Sequence, residues 1–250
     1  MKLIHFIHNN KEYWGVLEGQ NIEVLKEEPF KSIKLRSKKI PLGRIKFLPP
    51  AKATKIILIG LNYKDHAREL NMKLPKEPLI FLKPTTALIG NKSAITYPDS
   101  VRQLDYEGEL AIVMKKEGKN IKPKDFLKYV LGFTCLNDVT ARDLQRKDVQ
   151  WTRAKSFDSF CPLGPYLSTE VNPQDLNIRS YLNGELRQNS STSEFIFKPA
   201  HLVSFISRIM TLNPGDVIST GTPFGVGSMK KGDKVEVEIE GIGKLINYIK

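Results

Sequence analysis

Residues Leu104–Met114 read LDYEGELAIVM and close on an apolar, β-prone run, Leu110-Ala111-Ile112-Val113. In a strand, residues i and i+2 share a face with their Cα atoms roughly 7 Å apart, so Glu107 and Glu109 are expected to project together. Two adjacent carboxylates repel and lose hydration unless positive charge lies between them. A hard divalent cation, which favours oxygen ligands, relieves both penalties. The alternative is the solvent-facing side of an edge strand, with Gly108 marking a bulge.

Working outward, the chain of 250 residues is 40% hydrophobic and 26% charged, ordinary values for a globular protein. Its length suits one large domain, or a catalytic domain with a small appendage. No run of about 18 apolar residues exists, so no membrane span is expected. The opening MKLIHFIHNNKEYW turns polar too soon for the core of a signal peptide. Cys135 and Cys161, the two cysteines, sit in apolar surroundings and are expected as buried thiols. These features point to a cytoplasmic protein.

The net charge is +12. Residues 1–55 carry twelve Lys or Arg against five Glu, a balance of +7, and the remaining residues supply +5. The excess is mostly lysine, spread singly, without interleaved aromatics or a zinc, helix-turn-helix or RNP pattern, which argues against a nucleic-acid surface. Solvated lysines account for it, and a field that steers an acidic substrate is a further reading.

Residues 1–50 read as a small β-rich appendage, with Leu3–Ile7 and Tyr13–Leu17 flanking an Asn9-Asn10 turn. Pro49-Pro50 marks the boundary with a catalytic domain over 51–250. His5 and His8 are expected as surface or half-buried side chains. After the boundary, Lys55–Gly60 suits a buried strand and LNYKDHARELN a short helix, in which His66 and Glu69 at i and i+3 stand side by side. A carboxylate beside an imidazole fixes its tautomer and raises its basicity, as a general base requires. A chance pair on a surface helix remains open. Lys83 ends a further strand, Pro78–Lys83, and either snorkels at a rim or enters a cavity.

Tyr129–Leu136 reads as a strand that runs into Asn137-Asp138. Thr140 and Asp143 fit a capping box for the next helix, and Arg142 and Gln145 can share its face. Asp138 at the junction is either a turn residue or a third carboxylate beside Glu107 and Glu109, half of an octahedral shell with positions left for water and substrate. Trp151–Tyr166 reads as a long irregular loop around Lys155, an ammonium suited to a substrate carboxylate or an oxyanion. Asn183-Gly184 signals a hairpin. His201–Met210 reads as a helix with Leu202, Phe205, Ile206 and Ile209 inward. GTPFGVG lacks the spacing of a phosphate loop; its glycines instead allow close approach to a small ligand, beside the Thr222 hydroxyl. Strands dominate without βαβ alternation, so the fold is a β-rich α+β class, a mixed β-roll or distorted barrel.

Seven blocks, in order, carry a family likeness: GLNYKDHARE, FLKPTTALIG, DYEGELAIV, NDVTARDLQ, KSFDSFCPLGP, NGELRQ and GDVISTGTPFGVG. The chain resembles the fumarylacetoacetate hydrolase family from about Lys55 to its C-terminus. The resemblance implies a homodimer that holds Mg²⁺, or Mn²⁺ or Ca²⁺, through Glu107, Glu109 and Asp138. It also implies a water-activating dyad of His66 and Glu69 on a lid helix, with Lys155 assisting. Gln145 and Thr222 then line the substrate pocket, with Arg142, Lys83 and Tyr63 as further contacts. The substrate implied is a small 2-oxo acid, with no nucleic acid and no membrane as partner. Hydrolytic C–C cleavage of acylpyruvate or fumarylacetoacetate-like dioxo acids is the leading reaction. Isomerisation of 2-hydroxyhepta-2,4-diene-1,7-dioate, or decarboxylation of 5-oxopent-3-ene-1,2,5-tricarboxylate or oxaloacetate, is the alternative. A basic nucleic-acid-binding module on an inactive scaffold is the remote one.

Overall fold

A computed structural model describes all 250 residues. Its strands form a β-rich α+β architecture around one twelve-stranded mixed sheet that does not close into a barrel. Ten strands lie in the order Leu35–Pro41, Asn21–Leu25, Lys11–Glu18, Lys2–His8, Cys161–Ser168, Val130–Asn137, Gly108–Met114, Val217–Ser219, Ile56–Ile59 and Ile80–Lys83. Two short strands flank this path. The central strands are buried along their whole length, as expected for continuous apolar runs such as Ile56–Ile59.

Five strands, among them Asn177–Leu182, Glu185–Ser191, Lys234–Ile239 and Gly243–Ile249, make a second sheet. Leu110, Ile112 and Cys135 from the first sheet meet Ile178, Val237 and Leu245 from the second in the largest apolar core. A third sheet joins Leu104–Tyr106, Thr140–Ala141 and Gly227–Met229. Hence the expected single strand Leu104–Met114 is two strands in two sheets, broken at Glu107. The reason lies in Gly108, where an added Cβ would come within 2.3 Å of Ser180 Oγ. The second sheet approaches so closely there that the chain must bend around a residue without a side chain.

The first hairpin turns at Asn9 and Asn10, both at positive φ, and Asn183-Gly184 makes the other expected hairpin. The opening strand pairs Lys2 with Ser168 and Leu3 with Leu167. Leu3, Trp14 and Val16 share a core with Leu58, Ala111 and Leu163, so the first fifty residues bury apolar surface against the rest of the chain. His5, expected at or near the surface, is 4% exposed. It lies between the Pro49 carbonyl at 2.7 Å and Glu12 at 2.9 Å, stacked on Trp14. The helix Pro199–Ile209 buries Leu202, Val203 and Ile206, whereas Ile209, expected inward, is exposed. The loop expected over Trp151–Tyr166 contains a helical turn, Thr152–Lys155, and the start of the Cys161 strand. Both cysteines are buried free thiols, with burial pushing each up to about 12. No helix is long and apolar enough to cross a membrane.

Candidate active site

Antiparallel register assembles the acidic cluster. Gly108 pairs with Asn137 and Glu109 with Leu136, so the next step outward sets Glu107 opposite Asp138. The Asp138 amide donates to the Glu107 carbonyl at 2.9 Å, and the Glu107 amide donates to Asn137 Oδ1 at 3.0 Å. One oxygen from each of Glu107, Glu109 and Asp138 can be chosen so that all lie within 4.8 Å of one another, and all three side chains are buried.

Cations surround this cluster unevenly. Lys155 ends its helical turn, 2% exposed, with Nζ 3.0 Å from Glu107 Oε2 and 2.5 Å from Asp138 Oδ2. Arg142 donates from Nε to Asp105 at 2.8 Å and from Nη2 to Glu107 Oε1 at 2.5 Å. Burial opposes ionisation of Glu107, but Lys155 and Arg142 outweigh it and hold the carboxyl below the usual carboxylate range. Glu109 has no such partner in contact. Burial, then the charges of Asp138 and Glu107, push its carboxyl well above the ordinary value, against hydrogen bonds to Ser219. Its Oε2 also accepts from the Gly221 amide at 2.9 Å. Gly221 has φ +90°, and a Cβ there would come within 2.9 Å of Asn62 Cβ, so the glycine-rich loop serves an acid side chain and not a phosphate.

His66 lies on the helix Lys64–Glu69, with Nδ1 2.7 Å from Glu69 Oε2. An Nδ1–H donated to that carboxylate leaves Nε2 as the basic nitrogen. The other Glu69 oxygen accepts from the Gly225 amide at 3.2 Å, and Asp65 of the same helix bonds Ser190. The helix is thus latched to the loop that carries Thr222 and to the Glu185–Ser191 strand. One cavity of about 350 Å³ is lined by His66, Glu107, Glu109, Asp138, Arg142, Gln145, Lys155 and Thr222. Glu69 stands behind His66.

Two residues expected at the substrate lie elsewhere. Tyr63 is fully buried in the main core, edge-on to Phe195 with ring centroids 4.8 Å apart. Lys83 lies behind Asp138, with Nζ 2.6 Å from Oδ1 and 3.0 Å from the Val139 carbonyl, and also bonds the Phe160 carbonyl. It neutralises Asp138 from the far side of the cavity wall. The expected capping box is absent: Thr140 Oγ1 is 3.1 Å from Glu107 Oε1 and 2.9 Å from the Asp138 carbonyl, while Asp143 accepts from the Arg102 and Gln103 amides. Thr140 serves the site directly instead of starting the helix.

Sequence reasoning missed three residues. Asp105 anchors Arg142, and its i, i+2, i+4 alternation with the two glutamates was the available signal. Ser219 orients Glu109. Gln188, fully buried, accepts from the Gly108 amide at 2.9 Å and donates to Thr222 Oγ1 and the Pro223 carbonyl at 2.9 Å each. It ties the turn between the glutamates to the Thr222 loop, yet its neighbours in sequence are exposed polar residues that give no hint of this.

The donor set fits a divalent cation. Three carboxylates offer hard oxygens; Glu109 is disfavoured as an anion without further positive charge; and Asp138 Oδ1 has its ion pair with Lys83 but no hydrogen bond of good geometry. Comparison with known proteins agrees. Residues 55–250 match the family model described as fumarylacetoacetate (FAA) hydrolase C-terminal, and residues 1–50 match one described as Rv2993c-like, N-terminal. The chain is 43% identical over 222 residues to the mitochondrial oxaloacetate tautomerase Fahd2a of Rattus norvegicus, covering 84% of this chain and 71% of that protein. The structure of 5-carboxymethyl-2-hydroxymuconate delta-isomerase from Mycobacterium smegmatis superposes with a TM-score of 0.94 at 40% identity, covering 100% of this chain and 99% of that one. Maleylpyruvate hydrolase from Sphingobium sp. SYK-6, solved with manganese(II) and pyruvate, gives a TM-score of 0.83 at 27% identity, with 100% and 98% covered.

Proposed function

The chain belongs to the fumarylacetoacetate hydrolase family, and from that premise we propose a divalent-metal-dependent enzyme that cleaves C–C bonds in 2,4-dioxo acids of the acylpyruvate class. The observation that carries the reading is one cavity holding three buried carboxylates, a His–Glu pair and a buried lysine. Glu107, Glu109 and Asp138 would hold the ion, Mg²⁺ by preference or Mn²⁺ or Ca²⁺. Bound there, it supplies Lewis acidity that neutralises a carboxylate and polarises the neighbouring 2-oxo group.

The rest is the work of the protein's own side chains. His66 Nε2, its tautomer fixed by Glu69, takes the proton of a water aimed at the distal carbonyl. As the adduct collapses the C3–C4 bond breaks, C3 keeps the electron pair, and the proton held on His66 passes to it, leaving a carboxylic acid and pyruvate. Lys155 faces the oxyanion that forms there; its ammonium is held charged by Asp138 and Glu107 against the cost of burial. Arg142 and Gln145, joined by a hydrogen bond of 2.5 Å, and Thr222 fix the substrate's oxygens.

Isomerisation or decarboxylation is the second reading, favoured by the relatives named as a tautomerase and an isomerase. It uses the same cavity, with His66 moving a substrate proton instead of activating water. A panel of acylpyruvates, oxaloacetate and hydroxymuconate-type dienes, assayed with Mg²⁺, Mn²⁺ or chelator, separates the two. Glu107→Ala is expected to abolish both ion binding and turnover, and His66→Ala to keep ion binding and lose hydrolysis. Hydrolysis retained in the second variant removes the dyad from the reaction. A homodimer in the cytoplasm, taking part in aromatic breakdown, completes the proposal; sedimentation at micromolar concentration tests the dimer.

A further inference from the structure

Arg142, Gln145 and Arg146 lie at i, i+3 and i+4 of the helix Arg142–Lys147, on one face of it, and all three line the cavity. The cations of that lining differ in what they already hold. Arg142 is committed to Asp105 and Glu107, and Lys155 to Glu107 and Asp138. Arg146 has no carboxylate partner; its Nη1 reaches only the neutral amide oxygen of Gln103, at 3.2 Å.

Apolar side chains complete much of the lining. Leu70, Met72, Leu79, Phe81 and Trp151 line the same cavity, and Leu70, Met72 and Leu79 remain about half exposed. The cavity therefore combines an acidic cluster suited to an ion with hydrocarbon side chains and one guanidinium free of any carboxylate, set one helical turn beyond the Arg142 that contacts Glu107. A guanidinium binds carboxylate through two parallel N–H groups, and binds it far better than a neutral or apolar group.

We propose that Arg146 is a specificity-determining residue that selects 2-oxo acids bearing a second carboxylate at the end remote from the 2-oxo group. The inference rests on the 2-oxo acid reading above and narrows it from 2-oxo acids in general to those with a second carboxylate, naming the residue that makes the choice. The apolar side chains of the lining pack along the carbon chain between the two acid groups, and displacement of Arg146 from Gln103 costs one exposed hydrogen bond.

The test pairs acids that differ only at the far end, measured by calorimetry on the Mg²⁺-loaded protein. 2-Oxoglutarate is set against 2-oxopentanoate, oxaloacetate against 2-oxobutanoate, and 2-oxoadipate against 2-oxohexanoate. At the chain length that fits, the diacid is expected to bind the natural sequence about 10- to 100-fold more tightly than its partner. Arg146→Gln is expected to remove that preference and leave the monoacid within about twofold. Arg146→Lys is expected to restore part of it, since charge returns without the two-pronged geometry. For any diacid turned over, KM rises while kcat stays within about threefold. Equal binding of diacid and monoacid at all three lengths, or equal weakening of both by Arg146→Gln, overturns the proposal and leaves the 2-oxo acid reading standing. Failure of every acid to bind the loaded protein sinks both together.

Discussion

Two buried acids, Glu109 within a strand of the large sheet and Asp216 just before the neighbouring strand Val217–Ser219, have opposite fates. Asp216 is fully buried and saturated: Oδ1 accepts from the Thr54 amide at 2.9 Å, the Thr54 hydroxyl at 2.7 Å and the Lys55 amide at 3.2 Å. Its Oδ2 accepts from the Asn213 amide at 2.8 Å and pairs with Lys55. Glu109 is equally buried, but its hydrogen bonds all fall on Oε2, from Ser219 and Gly221, and its charged neighbours include two further acids. A buried carboxylate whose oxygens are all occupied holds loops together. One whose second oxygen has no donor, with two other carboxylates close by, calls for a cation that the chain does not supply.

That contrast breaks most sharply at Glu109. Glu109→Gln is expected to lower Mg²⁺ or Mn²⁺ affinity by more than about 100-fold and abolish turnover, with the thermal midpoint of the ion-free protein unchanged or raised, since a neutral amide replaces a carboxyl that burial disfavours as an anion. Calorimetry and a melting curve in chelator check it; a lower midpoint with unchanged ion affinity would show that Glu109 is structural after all. Asp216→Ala is expected to do the reverse. Five donors, the Lys55 ammonium among them, lose their acceptor, and a donor left unmet where water cannot reach it costs about 1–3 kcal/mol, so a loss of about 3 kcal/mol should appear in urea unfolding while ion affinity is kept.

Ser219→Ala sharpens the comparison by removing one orienting contact and no ligand. Outer contacts of this kind are worth about 10- to 100-fold in metal affinity, so a fall at the lower end of that range is expected, read by competition with a fluorescent chelator. The smallest effect belongs to His5, a saturated buried group like Asp216. Burial pulls its pKa below 6.5, against hydrogen bonds to the Pro49 carbonyl and the Glu12 carboxylate that raise it and with the nearby Lys52 lowering it slightly. The unfolded chain then binds a proton that the folded one refuses. Stability should fall as pH drops below 6.5 and level off once the folded-state value is passed. Denaturation midpoints at pH 5 and pH 8 measure the loss, and His5→Phe should flatten it.

The acidic centre was legible because its residues announce themselves locally. Glu107 and Glu109 are two apart, Asp138 ends a strand-like run, and His66 and Glu69 have helical spacing; no long-range knowledge is needed to nominate them. Hairpins at Asn9-Asn10 and Asn183-Gly184 were legible for the same reason. What escaped depends on tertiary approach. The break at Glu107 is imposed by Ser180, more than seventy residues away. Lys83 and Tyr63 share the strand-end and loop settings of true cavity residues, and only the packing turns one behind Asp138 and the other into the core. Thr140 and Asp143 satisfy a capping pattern, yet stronger electrostatic demands from Glu107 and from two amides take both side chains.

The bend at Gly108 also has a mechanical side. Glu107 follows the last residue of a strand in one sheet, and Glu109 is the second residue of a strand in another. A cation gripped by both is a rivet across that seam. Occupancy then feeds directly into heat resistance: at a hundredfold excess over its Kd, a ligand confined to the native state adds about 2.7 kcal/mol. Chelation should therefore loosen the joint between the sheets before it disturbs either one, and amide exchange should quicken first around Tyr106–Glu109.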